Sequence, residues 1–216
     1  MRITPGVLAR GPWQPADVQS SWSDELYEPP ADASRAADAA IAALAERRSP
    51  SHDGLGARLV SFDLTRGRLA LELQPLRWAL RLNTIDASQS LAAMCVVRAA
   101  DGRWLAGRRA SWLATWPGRW ALGAGGSVEA GENPVDTLAR ELDEEWSVSA
   151  ERTTIEALVC LPQLMALLIG VAWLPDGATV QPDNEHDDYA WWPPVPERWP
   201  AAADGPVREM GVMLAA

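Results

Sequence analysis

Residues 125–148 read GGSVEAGENPVDTLARELDEEWSV, and they constrain the chain more than any other stretch. Asn133 is placed to cap a helix, with Pro134 at the first helical position, where its missing N–H costs nothing. From there Val135, Leu138, Ala139, Leu142 and Trp146 recur at a spacing that predicts one apolar stripe turned to a core. Glu141, Glu144 and Glu145 stand at i, i+3 and i+4. They therefore share a neighbouring face, within about 100° of arc. Asp136 and Asp143 point elsewhere, to water.

Three carboxylates on one small face repel each other. A like-charge i,i+4 pair weakens a helix by about 0.2–0.5 kcal/mol, and by more where water is excluded. Arg140 lies beside the cluster and offsets part of this. A hard divalent cation would offset it better, because Mg²⁺ takes oxygen ligands and keeps waters that a substrate phosphate can replace. The preceding loop carries Gly123, Gly125 and Gly126, whose lack of side-chain bulk lets backbone approach a metal or phosphate. Either half of this pattern alone would be weak, and the alternative for the helix is a solvated acidic face with no chemistry.

The same residues resemble the Nudix box. Its pattern is Gly, five residues, Glu, seven residues, Arg-Glu, an aliphatic, one residue, Glu-Glu, one residue, Gly and an aliphatic. Gly126, Glu132, Arg140, Glu141, Leu142, Glu144, Glu145 and Val148 all fall in register. Six fixed charged or glycine positions match by chance on the order of once in ten thousand chains of this length, or less. The one departure is Ser147, which stands where the box has its closing glycine. That glycine ends a helix at positive φ, a conformation serine adopts at a cost of about 1 kcal/mol.

The resemblance implies an α/β fold: a Nudix α/β/α sandwich with a mixed sheet, here preceded by a smaller N-terminal α+β extension. It implies metal ligands at Glu141, Glu144 and Glu145, with the Gly125 carbonyl as a further ligand. The cation would be Mg²⁺, or Mn²⁺ in its place. Glu144 and Glu145 would be catalytic through it, since a bound metal polarises a diphosphate and acidifies the attacking water. Arg140 would pair with Glu132 and fix the loop against the helix. The family often draws its catalytic base from outside the box, and Glu185 is the candidate, within the acidic run 183–188. A solvated acidic loop is the competing reading of that run. The implied activity is hydrolysis of a diphosphate linkage in a nucleoside diphosphate derivative or related small molecule. The alternative is a Nudix-like ligand sensor of weak activity. Isopentenyl diphosphate isomerase shares the fold but needs a catalytic cysteine motif, which neither Met94-Cys95-Val96 nor Val159-Cys160-Leu161 resembles.

Composition narrows the partners. At 48% hydrophobic and 22% charged the chain falls in the range of folded globular proteins. The net charge is −10 and every basic residue is arginine, so phosphate backbones are repelled and nucleic acid is not expected as a partner. A small anion can still bind where a few arginines converge. Cys95 and Cys160 lie in apolar runs and read as buried thiols, and with His52 and His186 they do not make a zinc set. Residues 1–13 lack the apolar core of a signal peptide, and Pro162 and Gln163 cut the greasiest stretch, 157–174, too short to span a bilayer. The expectation is a cytoplasmic protein without membrane contact.

Along the chain, residues 1–30 read as an irregular arm and 31–48 as an alanine-rich helix, followed by a polar loop over 49–56. Strands are expected at 58–64 and 68–73 around a Thr65-Arg66-Gly67 turn, then at 78–82, 91–98, 104–108, 154–161, 164–174 and 189–192. Asp101-Gly102 signals a hairpin, and a short helix is expected near 207–214. The division is 1–85 as an extension or small domain and 86–216 as the Nudix domain. Residues 1–85 could instead add strands to the main sheet, or serve as a homodimer contact. For the substrate, Arg108, Arg109 and Arg119 could clamp phosphates, and Trp112 or Trp116 could stack on a base. Surface salt bridges and core packing are the competing roles.

Overall fold

The structure, a computed structural model, describes residues 3–47, 49 and 53–215; Arg48 and His52 lie outside the described residues. The most buried strands explain the rest. Strand β5 (Ser90–Arg98) and strand β10 (Ala166–Trp173) run parallel, from Ala166 beside Leu91 to Trp173 beside Arg98. Both are almost unbroken apolar runs because both faces of the sheet are covered. Leu91, Ala93, Cys95 and Val97 enter one core, while Ala92 and Val96 enter another.

Around this pair an 11-stranded mixed sheet forms. Its main path starts with β1 (Gly6–Trp13), then β9 (Arg152–Cys160), β10 and β5. It continues through β3 (Leu55–Thr65) and β4 (Arg68–Arg77) to β2 (Val18–Trp22). A branch from β5 carries β6 (Trp104–Arg109), which pairs with β7 (Trp120–Leu122) and with β11 (His186–Trp192). Strand β8 (Ala124–Ser127) pairs with β5. Both expected turns form: Arg66 and Gly67 take positive φ between β3 and β4, and Gly102 does so between β5 and β6.

Among the described residues, three α-helices cover the sheet. α1 (Ala31–Glu46) packs Ala37 against Leu76, Ala79 and Leu80. α2 (Pro134–Trp146) lies on one face, where Leu138, Leu142 and Trp146 are at most 2% exposed. Full burial of each leucine contributes about 1.5–3 kcal/mol. The helix sits close because Gly170 has no side chain: a Cβ there would lie 2.6 Å from Leu138 Cδ1. α3 (Gly205–Ala215) belongs to the opposite layer, with Trp104, Trp192 and Trp199.

The structure corrects several expectations. The described part of the expected irregular arm, residues 3–30, contains β1 and β2, and β1 pairs along β9 from Gly6 beside Cys160 to Trp13 beside Ile155. Pro12 and the register shifts in that pairing hide the strand's period-two pattern. Residues Trp78–Leu82 form a 3-10 turn instead of a strand. Ala139 is exposed, and Thr137 takes a buried place on α2. The strands of the N-terminal segment join the same sheet as the rest, through β1–β9 and β3–β5. Among the described residues no helix is long and apolar enough to cross a membrane.

Candidate active site

Helix α2 begins as its sequence dictates. The Asn133 side chain accepts a hydrogen bond from Val135 N at 3.0 Å, and Pro134 follows it. It ends at Ser147, whose φ of 51° and ψ of 43° place it in the left-handed region, where the box has glycine. Between these ends the carboxylates separate by depth. Glu141 and Glu145 are buried, at 9% and 3% exposure, whereas Glu144 is exposed.

Arg140 organises the outer part. Its Nε donates to Glu132 Oε1 at 2.9 Å and its Nη2 to Glu132 Oε2 at 3.2 Å, a forked pairing. Nη1 donates to Glu141 Oε1 at 2.7 Å and Glu144 Oε2 at 3.0 Å, and Nη2 also reaches the Ser127 carbonyl. Burial would raise the Glu132 pKa, but hydrogen bonds from Arg140, Glu129 N and Thr137 pull it below its ordinary value. The Glu132 bond raises the arginine's own pKa against the cost of burial.

The inner part is tighter. Glu145 Oε1 accepts from Gly125 N at 2.9 Å. Its Oε2 is buried without a hydrogen-bond partner. His186 Nε2 comes only to 3.5 Å of that oxygen. Burial pushes the Glu145 pKa well up and the His186 pKa down, each toward its neutral form. The His186 ring lies 4.4 Å from that of Trp146, centroid to centroid, and both press on Gly107. Trp146 Nε1 donates to the Gly123 carbonyl at 3.0 Å, tying the end of α2 to the glycine loop. A Cβ at Gly126 would lie 2.1 Å from Glu141 Oε1, so any larger residue there must displace that carboxylate.

This donor set fits a hard divalent cation in its chemistry. Every candidate ligand is an oxygen, Glu141 and Glu145 are buried together with raised pKa values, and one Glu145 oxygen has no partner. The cage is not preassembled, since no three acidic, histidine or cysteine side chains converge among the described residues. Arg140 instead supplies the positive charge between Glu141 and Glu144.

Glu185 stands just before β11, where its carbonyl accepts from Ala110 N and its N–H donates to Asp183 Oδ1. Arg109 Nη2 lies 3.9 Å from its carboxylate. Burial raises the Glu185 pKa, Arg109 opposes that, and Asp183 and Glu144 add to it. Glu185 is thus electrostatically joined to the α2 carboxylates.

The other sequence candidates divide. Side chains alternate along β6, where Leu105 enters the core of α2 and Trp104 and Ala106 enter the opposite one. Arg109 follows the first side and reaches Glu185, while Arg108 follows the second and is not brought to the carboxylates. Arg119 pairs with Asp204 ahead of α3 and lies over the Trp116 ring, at 4.5 Å. Trp112 is half-buried in the loop between β6 and β7. Two residues that sequence reasoning did not nominate also belong here: His186 against Glu145, and Arg81, bonded to Ser127. His186 neighbours Glu185, but nothing in its surroundings in sequence marks it as buried.

Known proteins resemble parts of this chain. A family model described as the NUDIX domain matches residues 89–204. The isopentenyl-diphosphate Δ-isomerase of Corynebacterium diphtheriae is 35% identical over 71 residues, 33% of this chain and 39% of that protein. A Nudix hydrolase of Pseudomonas aeruginosa, itself uncharacterised, is 51% identical over 41 residues, 19% of this chain and 24% of that one. The aligned stretches thus span well under half of either relative. Among solved structures, a MutT NUDIX hydrolase from Burkholderia pseudomallei is 20% identical, covers 58% of this chain and 97% of its own, and superposes with a TM-score of 0.48. The family model spans more than half of the chain and includes the glycine loop, the glutamate helix and Glu185, and by that match this protein belongs to the NUDIX domain family.

Proposed function

We propose that this protein hydrolyses a diphosphate linkage in a small molecule, a nucleoside diphosphate derivative or a related compound, with the help of a divalent cation. The observation that carries the reading is the pair Glu141 and Glu145, buried against a glycine loop with one carboxylate oxygen left without a partner. Burying two acidic groups side by side is costly, and a bound cation relieves that cost. Glu141, Glu144 and Glu145, with the Gly125 carbonyl, would hold Mg²⁺ or Mn²⁺, which when bound adds positive charge against the phosphates and acidifies water.

The chain's own groups do the rest. Arg140 clamps Glu132 and the Ser127 backbone, which holds the loop at a fixed distance from α2. Arg109 presents a guanidinium beside Glu185 and is the candidate for a phosphate contact. Hydrolysis adds a water oxygen to one phosphorus and breaks the bridging P–O bond. The water's proton passes to a Glu185 carboxylate oxygen, and the leaving phosphate departs as an anion. A raised pKa suits Glu185 to that role, since a general base works best with a pKa near the working pH.

The test is Glu145→Gln. Turnover of a diphosphate substrate should fall on the order of 10²–10³-fold, the size expected for losing one group that stabilises developing charge. Mn²⁺ binding, read by electron paramagnetic resonance, should weaken in the same variant. Near-native turnover and Mn²⁺ binding together would overturn the assignment.

A further inference from the structure

From the part of the chain that precedes the matched family region, the Arg81 side chain reaches the site. The 3-10 turn Trp78–Leu82 is held rigidly: Ala79 and Leu80 are fully buried, and Ala79 N donates to Asp53 Oδ1 at 3.0 Å. From this support Arg81 extends to β8, where its Nη1 donates to the Ser127 hydroxyl. Ser127 then has Arg81 on its hydroxyl and Arg140 on its carbonyl, next to Gly125 and Gly126. The face of Trp78 lies 5.6 Å from the Arg81 guanidinium.

Arg81 is short of partners. Among the described residues no carboxylate comes within ion-pair distance of it, and Ser127 is its hydrogen-bond acceptor. Its remaining N–H donors are not sealed in the interior. Burial pushes its pKa down to about 10, Arg109 lowers it further, and Glu141 and Glu185 at longer range raise it. Arg109 has the Glu185 carboxylate at 3.9 Å, whereas Arg81 has no such partner, and a guanidinium taken out of water without a counter-ion is costly to hold unless an anion binds it. The expected substrate carries such an anion.

We propose that Arg81 binds a phosphate of the substrate, and that together with Arg109 it clamps the part of the diphosphate that faces the N-terminal segment. This rests on the diphosphate reading above. It gives residues outside the family match a direct part in substrate recognition.

The test is calorimetric binding of methylenediphosphonate, a diphosphate analogue that cannot be hydrolysed, to the full chain in the presence of Mg²⁺. Arg81→Gln should bind it about ten- to a hundredfold more weakly, the size of a lost charge-assisted contact. Arg81→Lys keeps the charge but cannot donate to Ser127 and a phosphate as a fork, and should lose about three- to tenfold. Arg103→Gln, a surface change in the β5–β6 hairpin, should bind as the parent does. If Arg81→Gln does not fold, Arg81→Lys decides, and unchanged affinity in whichever variant folds would overturn the proposal while leaving the diphosphate reading intact. An equal loss in Arg103→Gln would also overturn it, as a general charge effect. Failure of the parent protein to bind would overturn both.

Discussion

Gly107→Ala probes the inner wall of the site. Gly107 lies in β6 under the rings of Trp146 and His186. An alanine Cβ there would lie 2.2 Å from His186 Cδ2, 2.7 Å from His186 Nε2 and 2.9 Å from Trp146 Cζ2. None of these rings is the free end of a flexible chain. Trp146 is fully buried and bonded to Gly123, and the His186 side chain is 1% exposed. The added methyl must therefore move a ring or the strand. Overpacking of this kind costs about 1–3 kcal/mol. In a chain of this size each kcal/mol lowers Tm by about 2–4 °C, so the expected fall is about 2–12 °C. Calorimetric melting measures it, with Gly205→Ala as reference, because a Cβ at Gly205 meets nothing within 4 Å. His186 would also be displaced from Glu145, so Mn²⁺ affinity should drop as well. Unchanged melting in Gly107→Ala would refute the packing of Trp146 and His186 against β6.

Three further outcomes are expected. Ser147→Gly relieves a left-handed serine and should raise stability by about 1 kcal/mol without loss of activity; destabilisation would show that the helix ends differently. Glu145→Gln in metal-free buffer should be more stable than the parent at pH 7–8. A carboxyl whose folded pKa is raised imposes no cost below its unfolded pKa of about 4.3, and its full cost above the folded value. The gain should therefore vanish toward pH 4, and an equal gain at both pH values would contradict the burial argument. Cys95, its pKa pushed up to about 12, should resist a thiol reagent at pH 8 in a Cys160→Ser background until the protein unfolds; rapid stoichiometric labelling would contradict its burial.

The helix, its cap and its carboxylate face were legible because each depends on residues no more than four positions apart. The Arg140–Glu132 pair came from the resemblance to a motif, and the structure places the two side chains in hydrogen-bond contact. Long-range placement was not legible. Arg108 and Arg109 are equivalent in sequence, and only the face that β6 turns to α2 separates them. Arg119 is drawn away by Asp204, some 85 positions later. His186 and Arg81 reach the site through strand pairing and a 3-10 turn, neither of which leaves a periodic trace. Strand β1 is hidden by its proline and by shifts in register, and the 78–82 turn reads as a strand because Trp78, Leu80 and Leu82 are bulky and apolar.

The most direct test of the central claim is a phosphate-release screen of the purified protein. The panel would hold nucleoside triphosphates, dinucleotides, nucleotide sugars and non-nucleotide diphosphates, each with Mg²⁺ and with EDTA. Turnover of one class, abolished by EDTA, is the predicted result. Silence across the panel, with a thermal shift from one ligand, would contradict the hydrolase and point to a sensor built on the same fold.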